Sequence, residues 1–207
     1  MSEQGPHPTR REQYALTTRR AIVDAARKLF AERGYFATKI DEIAAEAQVA
    51  PATIYTSVGG KPGLLAELIG LWQTDPEIEH NLERNTTNTD PRALIADLSS
   101  TTRRIREEWD DVIQILLTTA PHDVGVTELL RAPTQFYRSS IAGIAQRLSD
   151  LGALRKGVDV GYAADVLWFY FGYSALNTLH NENGWSYDQA EQWLTQEATR
   201  ELLMGPI

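Results

Sequence analysis

The sequence predicts an all-α fold in which a small N-terminal head of three helices precedes a larger helical-bundle body. Apolar residues recur at the three- and four-residue spacing of one helix face along most of the chain. Period-two alternation between turn residues, which is typical of strands, is missing. With 207 residues, of which 43% are hydrophobic and 23% charged, the chain is long enough for one large domain or two modest ones.

The first helix is predicted to begin after Thr18, a residue type suited to an N-cap, and to end at Gly34. Its apolar face follows the three-four spacing and consists of Ile22, Ala25, Ala26, Leu29 and Phe30. We expect residues 1–16, which precede this helix, to form a flexible arm.

The second and third helices are predicted to form a helix-turn-helix. Thr38 and Asp41, three residues apart, resemble a capping box at the start of the second helix. A tight turn follows at 47–50, where Val49 is the apolar residue, and Pro51 suits the first turn of the third helix. Two helices joined by so short a turn are typical of this motif.

The third helix, within APATIYTSVGGK at 50–61, is short and mostly polar. Its only apolar residues at helical spacing are Ile54 and Val58, and its remaining positions carry the hydroxyls of Thr53, Tyr55, Thr56 and Ser57. Because such a helix adds little to a core, we expect its polar side to be exposed for contact with another molecule.

The body is predicted to be a bundle of long amphipathic helices. A helix after Gly60 carries a buried face of Leu64, Leu65, Leu68, Ile69 and Trp72. The polar, turn-rich segment 73–91 follows it. Five further helices are predicted at about 91–109, 110–120, 125–151, 159–181 and 187–204. The predicted division is an arm at 1–16, a head at 17–62 and a body at 63–207.

Composition excludes several classes of protein. The chain contains no cysteine, which excludes disulfides, thiolate metal sites and cysteine nucleophiles and suits a reducing cytoplasm. Residues 1–16 are polar with two prolines, unlike a signal peptide. The longest apolar run, 166–173, is far shorter than the roughly 18 residues of a membrane span. We therefore expect a soluble, cytoplasmic protein.

Charge is distributed unevenly along the chain, whose net charge is −8. Residues 1–61 hold nine Lys and Arg against seven Asp and Glu, whereas residues 62–207 hold eleven against twenty-one. A mildly basic head on an acidic body is typical of a small nucleic-acid-reading domain attached to a larger one.

The chain resembles the TetR family of bacterial transcriptional regulators over residues 22–68, IVDAARKLFAERGYFATKIDEIAAEAQVAPATIYTSVGGKPGLLAEL. The resemblance rests on residues that agree with the family in order and spacing: Ala25-Ala26, Leu29-Phe30, Gly34-Tyr35, Ile43-Ala44, Ala47, Val49, Ile54-Tyr55, Lys61 and Leu64-Leu65. It covers about a quarter of the chain. It implies a DNA-binding helix-turn-helix head on a variable body for ligand binding and dimerisation.

Three positions depart from the family's usual pattern. Gln48 stands in the turn where the family usually has glycine, so it must tolerate a backbone conformation that glycine adopts more freely. Val58 replaces an aromatic residue under the third helix. Lys39 replaces Thr or Ser at the start of the second helix, which moves the predicted cap to Thr38 and adds a cation on the side expected to face phosphates.

The resemblance implies that the third helix enters the major groove of DNA. It assigns Thr53 and Tyr55 to the DNA backbone, and Ala52 and Thr56 to base edges. Hydroxyl groups suit these roles because they donate to or accept from phosphates and several bases.

Further phosphate contacts are predicted at helix starts, where free backbone N–H groups add to positive charge. Lys61 occupies one such start, and Thr38 with Lys39 occupies another. A mobile arm along the backbone or in the minor groove is predicted for Arg10, Arg11, Arg19 and Arg20, although an idle tail remains open for the first two.

A dimer interface is predicted near the C-terminus. Residues 165–180 are apolar around most of a helix circumference, which indicates burial on several sides. Together with the amphipathic last helix, they are predicted to form half of a four-helix homodimer interface. A monomeric core remains the alternative.

An apolar ligand pocket is predicted in the body, with Asn177 or His122 as its polar anchor. Its predicted lining is Trp109, Ile113, Leu116, Leu117, Phe136, Tyr137, Phe169 and Tyr173. Aromatic walls with few buried charges suit a bulky, largely apolar ligand. Ordinary core packing remains an alternative for each of these residues.

The predicted function is a ligand-responsive DNA-binding regulator, a repressor that a ligand releases from a palindromic operator. An enzyme is not expected, because no nucleophile elbow, P-loop or GxGxxG run occurs and the histidines, His7, His80, His122 and His180, lack metal-ligand spacing. No catalytic residue, cofactor or metal is predicted. The alternative is a protein-interaction module that uses the helix-turn-helix for docking, and its binding would not depend on salt.

Overall fold

The structure, a computed structural model, describes residues 9–204. All regular secondary structure in this range is helical, which confirms the all-α prediction. The α-helices are α1 (Arg10–Arg33), α2 (Ile40–Glu46), α3 (Pro51–Val58), α4 (Lys61–Gln73), α5 (Pro76–Thr87), α6 (Pro91–Thr119), α7 (Val124–Asp150), α8 (Val160–Phe171), α9 (Ser174–Asn177) and α10 (Tyr187–Leu202). None of these helices is long and apolar enough to cross a membrane.

The described chain forms two compact units. The N-terminal unit comprises the residues up to Trp72 and Asp111–Leu130. The C-terminal unit comprises Gln73–Asp110 and the residues from Arg131 onward. Helices α6 and α7 therefore supply residues to both units. The predicted functional division at residue 62 stays a prediction.

Helix α1 begins earlier than the sequence pattern predicts. A capping box closes its first turn, because the Glu12 carboxylate accepts from the Thr9 N–H at 2.7 Å while the Thr9 hydroxyl accepts from the Glu12 N–H at 3.3 Å. The predicted N-cap at Thr18 is therefore wrong, and residues 10–16 are helical instead of a flexible arm. The rest of the predicted arm, with His7, lies outside the described residues.

The core of the N-terminal unit comes from one face of each of its first four helices. Ile22 and Ala26 of α1, Ile43 of α2 and Ile54 of α3 are fully buried, as are Leu64, Leu65 and Leu68 of α4. A buried side chain of the size of isoleucine contributes roughly 1.5–3 kcal/mol relative to an exposed one. This packing confirms the helix-turn-helix formed by α2 and α3.

The cap of α2 differs from the prediction by one residue. Lys39 is the N-cap, and its N–H donates to the Glu42 carboxylate at 2.8 Å, so the predicted pair of Thr38 and Asp41 is wrong. The Thr38 side chain is buried, and its hydroxyl donates to the carbonyls of Leu29 and Gly34 at 3.2 and 2.8 Å. Thr38 thereby ties the loop before α2 to the end of α1.

The turn between α2 and α3 holds Gln48 in the left-handed region, with φ of 55°. The prediction that this glutamine occupies a conformation favoured by glycine is thus confirmed. The turn is closed by the Val49 N–H, which donates to the Ala44 carbonyl at 2.9 Å.

We expect Gln48→Gly to raise the free energy of unfolding by about 0.5–1 kcal/mol, because relief of left-handed strain exceeds the added entropy of the unfolded chain. The matched control is Gln192→Gly, at an exposed position inside α10. The control should lower stability by about 1 kcal/mol. Urea unfolding followed by circular dichroism measures both changes, and destabilisation by Gln48→Gly would contradict the strain argument.

The C-terminal unit departs from the predicted helix list in three places, of which α5 and α6 are the first two. The segment predicted as a polar linker contains helix α5, which Asp75 caps by accepting from the Glu77 N–H at 2.9 Å. Asn81 then ties α5 to α6 by donating to the Thr101 hydroxyl at 2.9 Å. The predicted helices at 91–109 and 110–120 are one continuous helix, α6.

The predicted helix at 159–181 is broken at Gly172. Helix α8 ends at Phe171, and the chain continues as the single turn α9 and a π-helical turn, Thr178–Glu182. A Cβ atom at Gly172 would lie 2.4 Å from the Trp168 carbonyl oxygen, so this close backbone approach requires glycine. The break leaves the end of α8 beside the aromatic residues described below.

Candidate functional site

Helix α3 presents its hydroxyl-bearing side to solvent. Ile54 faces the core, whereas Ala52 and Thr56 are exposed and Tyr55 is 60% exposed. Thr53 is half-buried. The helix is therefore held by a single buried residue on its inner side and keeps the opposite side available for another molecule.

Arg19 anchors α3 from inside the N-terminal unit. Its Nη1 donates to the Ser57 carbonyl at 2.7 Å, and its Nε donates to the Glu67 carboxylate at 2.9 Å. The hydrogen bond from Arg19 lowers the pKa of Glu67. Sequence reasoning placed Arg19 on a mobile arm, and the structure instead uses it to join α1, α3 and α4.

Lys61 also makes contacts within the protein. Its Nζ donates to the carbonyls of Tyr35 and Thr38, the latter at 2.9 Å, and lies 4.3 Å from the centre of the Tyr35 ring. Burial lowers the pKa of Lys61. Lys61 thus fixes the loop before α2 with two of its three ammonium N–H groups. Its contact with a DNA phosphate, which would use the third N–H group, stays a prediction.

Other cations near α3 divide into paired and available groups. Lys28 pairs with Glu46 at 2.6 Å, and Arg33 pairs with Glu42 at 2.7 Å. Lys39 is exposed at the start of α2, where the hydrogen bond from its backbone N–H lowers the pKa of Glu42 and its positive charge contributes to that shift. Arg10 and Arg11 are exposed at the start of α1, whereas Arg20 is exposed and lies 4.0 Å from the Asp24 carboxylate.

A bidentate ion pair joins α1 to the last part of α6 within the N-terminal unit. The Arg27 Nε and Nη2 atoms donate to the two carboxylate oxygens of Asp111 at 2.7 and 2.8 Å. Both side chains are about two-thirds buried, so this planar pair fixes the orientation of α1 on α6.

The predicted pocket residues do not form one group in the described structure. Trp109, Ile113 and Leu116 are buried, and Leu117 is half-buried, but Trp109 belongs to the C-terminal unit and the other three to the N-terminal unit. The Trp109 indole N–H donates to the Asp75 carboxylate at 2.8 Å. Its polar edge is therefore used in packing α5 against α6.

Three further predicted pocket residues belong to the C-terminal unit: the exposed Phe136 and Phe169 and the half-buried Asn177. Phe136 is 50% exposed and Phe169 is 69% exposed. The Asn177 amide donates to the Glu182 carboxylate at 3.0 Å and accepts from Asn181 at 3.0 Å. The exposure of Phe136 and Phe169 contradicts their prediction as lining of an apolar cavity. The role of Asn177 as a polar anchor stays a prediction, and its amide is engaged with Glu182 and Asn181. His122, the other predicted anchor, is exposed beside Phe36 in the N-terminal unit.

Tyr137 and Tyr173 do come together, with Trp168 as a third partner. Their ring centres lie 5.5 to 6.0 Å apart in tilted and edge-on arrangements. The Tyr137 hydroxyl donates to the Phe171 carbonyl at the end of α8 and lies 3.1 Å from the Thr102 hydroxyl. Burial raises the pKa of Tyr137 to about 12.

Sequence reasoning missed Arg106 and Thr102, which lie inside the C-terminal unit. Both side chains are buried, and they share one face of α6 with Leu98 and Trp109. The signal was the helical period itself, because these four positions recur at intervals of three and four residues. A polar residue inside an apolar stripe is the informative exception. Within residues 9–204, no group of three His, Asp or Glu side chains is placed to hold a metal ion.

Comparison with known proteins gives a family for the head. A sequence model described as "Bacterial regulatory proteins, tetR family" matches residues 22–68. The uncharacterized HTH-type transcriptional regulator YdeS of Bacillus subtilis is 26% identical over 164 residues, which cover 78% of this chain and 79% of that protein.

Solved structures of regulators share the fold over almost the whole chain. The transcriptional regulator FadR of Bacillus subtilis, solved in complex with stearoyl-CoA, matches with a TM-score of 0.72 and 18% identity, over 88% of this chain and 98% of that one. SmeT, the repressor of the Stenotrophomonas maltophilia multidrug efflux pump SmeDEF, matches with a TM-score of 0.70 and 22% identity, over 91% and 93%. At these identities the likeness shows the fold.

Proposed function

The chain belongs to the TetR family of bacterial transcriptional regulators, and from this premise we propose that it is a cytoplasmic, ligand-responsive repressor. It binds a palindromic operator as a homodimer, and a bulky, largely apolar small molecule releases it. The observation that carries the proposal is the exposed hydroxyl side of α3, beside a buried Ile54 that fixes its rotation. The relatives described as regulators support it.

The DNA contacts follow from the exposure of α3. Ala52 and Thr56 reach base edges in the major groove, while Thr53 and Tyr55 contact the sugar-phosphate backbone. Lys39, at the start of α2, pairs with a phosphate. Lys61 adds a second phosphate contact, and Thr38 contributes through the loop that its buried hydroxyl holds in place.

A homodimer forms through α8 and α10, which pack on each other in the C-terminal unit. Their outer sides carry the exposed side chains of Tyr162, Phe169 and Trp193. Large apolar side chains grouped on neighbouring helices favour burial against a second copy. Two heads in a dimer then read two half-sites about one DNA turn apart.

Ligand and DNA oppose each other through α6. This helix carries body residues such as Arg106 and, five positions later, Asp111, which pairs with Arg27 of α1. A ligand that moves α6 therefore changes the position of the head helices. By linkage, DNA and ligand must weaken each other's binding by the same factor.

Selection of bound sequences from random duplex DNA by the purified protein tests the proposal. We expect enrichment of a palindrome whose half-sites lie about one helical turn apart. Recovery of unenriched sequences would contradict the proposal and favour the interaction module.

We expect Lys39→Ala to weaken operator binding and to lower the slope of log affinity against log salt by about 1, because one phosphate contact is lost. Thr56→Ala should instead change which sequences are enriched. The control is Lys156→Ala, an exposed lysine in the loop before α8, which should leave both affinity and slope unchanged. Fluorescence anisotropy over a salt series measures the slopes, and equal slopes for Lys39→Ala and wild type would contradict the assigned contact.

A further inference from the structure

Arg106 is a buried charge whose hydrogen-bonding groups are almost unused. The residue lies in α6 and is 3% exposed. Within residues 9–204, the Arg106 Nε and Nη1 atoms have no hydrogen-bond partner, and Nη2 meets only the Asp110 carboxylate. A guanidinium stays protonated in proteins and offers five N–H donors in one plane, so its burial without acceptors is costly.

Asp110 provides incomplete compensation for this charge. Its Oδ1 lies 2.5 Å from the Arg106 Nη2 and forms an ion pair with that end of the guanidinium. Its Oδ2 accepts from Asn181 at 3.0 Å, and the carboxylate is partly exposed. Burial lowers the pKa of Arg106, and the charge of Asp110 opposes that shift. One carboxylate at the end of the guanidinium leaves most of the planar fork without an acceptor.

Hydroxyl groups and aromatic rings from α6, α7 and the segment after α8 meet beside the turn of α6 that carries Thr102 and Arg106. The Tyr137 hydroxyl lies 3.1 Å from that of Thr102. Burial raises the pKa of Tyr137 and Tyr173, and the positive charge of Arg106 opposes both shifts. Thr102 lies one turn before Arg106 on the same side of α6, and the Thr134 hydroxyl lies 3.3 Å from that of Tyr173. We call Thr102, Arg106, Thr134, Tyr137 and Tyr173 the polar cluster.

The chemistry of the polar cluster suits a carboxylate better than other anions. A planar fork of N–H donors matches two carboxylate oxygens in bidentate geometry. The nearby arginines of α6 are committed elsewhere, because Arg103 pairs with Glu107 and Glu191, and Arg104 pairs with Glu77. Arg106 is the one buried cation of the polar cluster, and Asp110 lies beside it. The positive charge of the cluster is therefore suited to a ligand with one negative charge and is too small for a phosphate dianion.

We propose that the effector is an organic acid whose carboxylate binds Arg106 and whose apolar part packs on Tyr137, Trp168 and Tyr173. This inference rests on the proposed function and names the chemical class of its ligand. The Tyr173 hydroxyl donates to the acid from the side, the Tyr137 hydroxyl stays bound to the Phe171 carbonyl, and the aromatic rings exclude water from the ion pair. The effector is thus apolar over most of its surface with one acidic end.

Paired probes that differ only in charge test this proposal. Decanoate, 4-phenylbutyrate and 1-naphthylacetate are each compared with the corresponding primary amide, using the full-length protein and titration calorimetry at pH 7. We expect at least one acid to bind about tenfold more tightly than its amide, as a charged hydrogen-bonded pair requires. Arg106→Met should abolish this preference, whereas Arg104→Met, at an exposed arginine of the same helix, should keep it.

Asp110→Asn provides a second variant that leaves Arg106 in place. It removes the carboxylate that competes with the ligand, so the ratio of acid to amide affinity should rise severalfold. The proposal is overturned if no acid outbinds its amide, if the preference survives Arg106→Met, or if Asp110→Asn leaves the ratio unchanged.

Operator selection separates this inference from the proposed function. A protein that enriches a palindrome but shows no preference for acids retains its function as a repressor and loses the acid site. A protein that prefers acids through Arg106 but enriches no DNA keeps the acid site and loses the repressor assignment.

Discussion

Gly63→Ala is expected to lower the free energy of unfolding by about 3 kcal/mol, a large effect for the addition of one methyl group. A Cβ atom at this position would lie 1.5 Å from the Val58 carbonyl oxygen and 2.6 Å from its carbonyl carbon. Both atoms belong to the backbone, so no side-chain rotation relieves the clash. The end of α3 and the start of α4 would have to separate.

The clash arises from the connection between α3 and α4. Gly59 and Gly60 both have positive φ, 78° and 82°, which folds the chain back so that α4 starts against the last carbonyl of α3. The Leu64 N–H donates to the Gly60 carbonyl at 3.0 Å and closes the first turn of α4. A change at Gly63 therefore displaces the helix proposed to enter the major groove.

Gly70→Ala is the matched control, because it makes the same substitution in the same helix. A Cβ atom at Gly70 would meet no atom within 4 Å, so this variant should be neutral or more stable by up to about 1 kcal/mol. Urea unfolding gives both stabilities, and anisotropy with the selected operator gives DNA affinity. Equal stability of the two variants would contradict the close approach at Gly63.

The helical faces of the head could be predicted from sequence because their apolar residues repeat without interruption. Apolar periodicity did not predict the helix starts that depend on polar capping residues. Thr9 and Glu12 cap α1 in this way, and Asp75 caps α5. These caps act through one or two local hydrogen bonds, which leave no periodic pattern in the sequence. The break at Gly172 was missed for a similar reason, because it follows from a close backbone contact and not from hydrophobicity.

In the candidate site, too, the features that follow from apolar periodicity could be predicted, and those that follow from individual hydrogen bonds could not. The outward side of α3 could be predicted, since Ile54 alone defines which side is buried. The partners of Arg19 and Lys61 could not, because both side chains donate to backbone carbonyls, and any residue can supply those. Arg106 was overlooked because charged residues are usually expected to face solvent. Its spacing from the apolar residues of α6 nevertheless places it on the buried face of that helix.

Phe169→Glu is expected to convert the proposed dimer to a monomer and to weaken operator binding by roughly 100-fold. Phe169 is the most exposed large apolar side chain of α8, and it lies on the helix that packs against α10. A carboxylate there would be buried without a partner in the dimer, which costs more than the apolar contact it replaces. A single head then loses the second half-site and the high effective concentration that the dimer provides.

Val124→Glu is the control for this prediction, because Val124 is 80% exposed and lies at the start of α7, outside the proposed interface. Sedimentation equilibrium measures the oligomeric state of both variants, and anisotropy with full and half operators measures DNA affinity. The Phe169 variant should bind full and half operators equally, while the control keeps its preference for the full site. Persistence of a dimer in Phe169→Glu, with unchanged operator affinity, would place the interface elsewhere on the molecule.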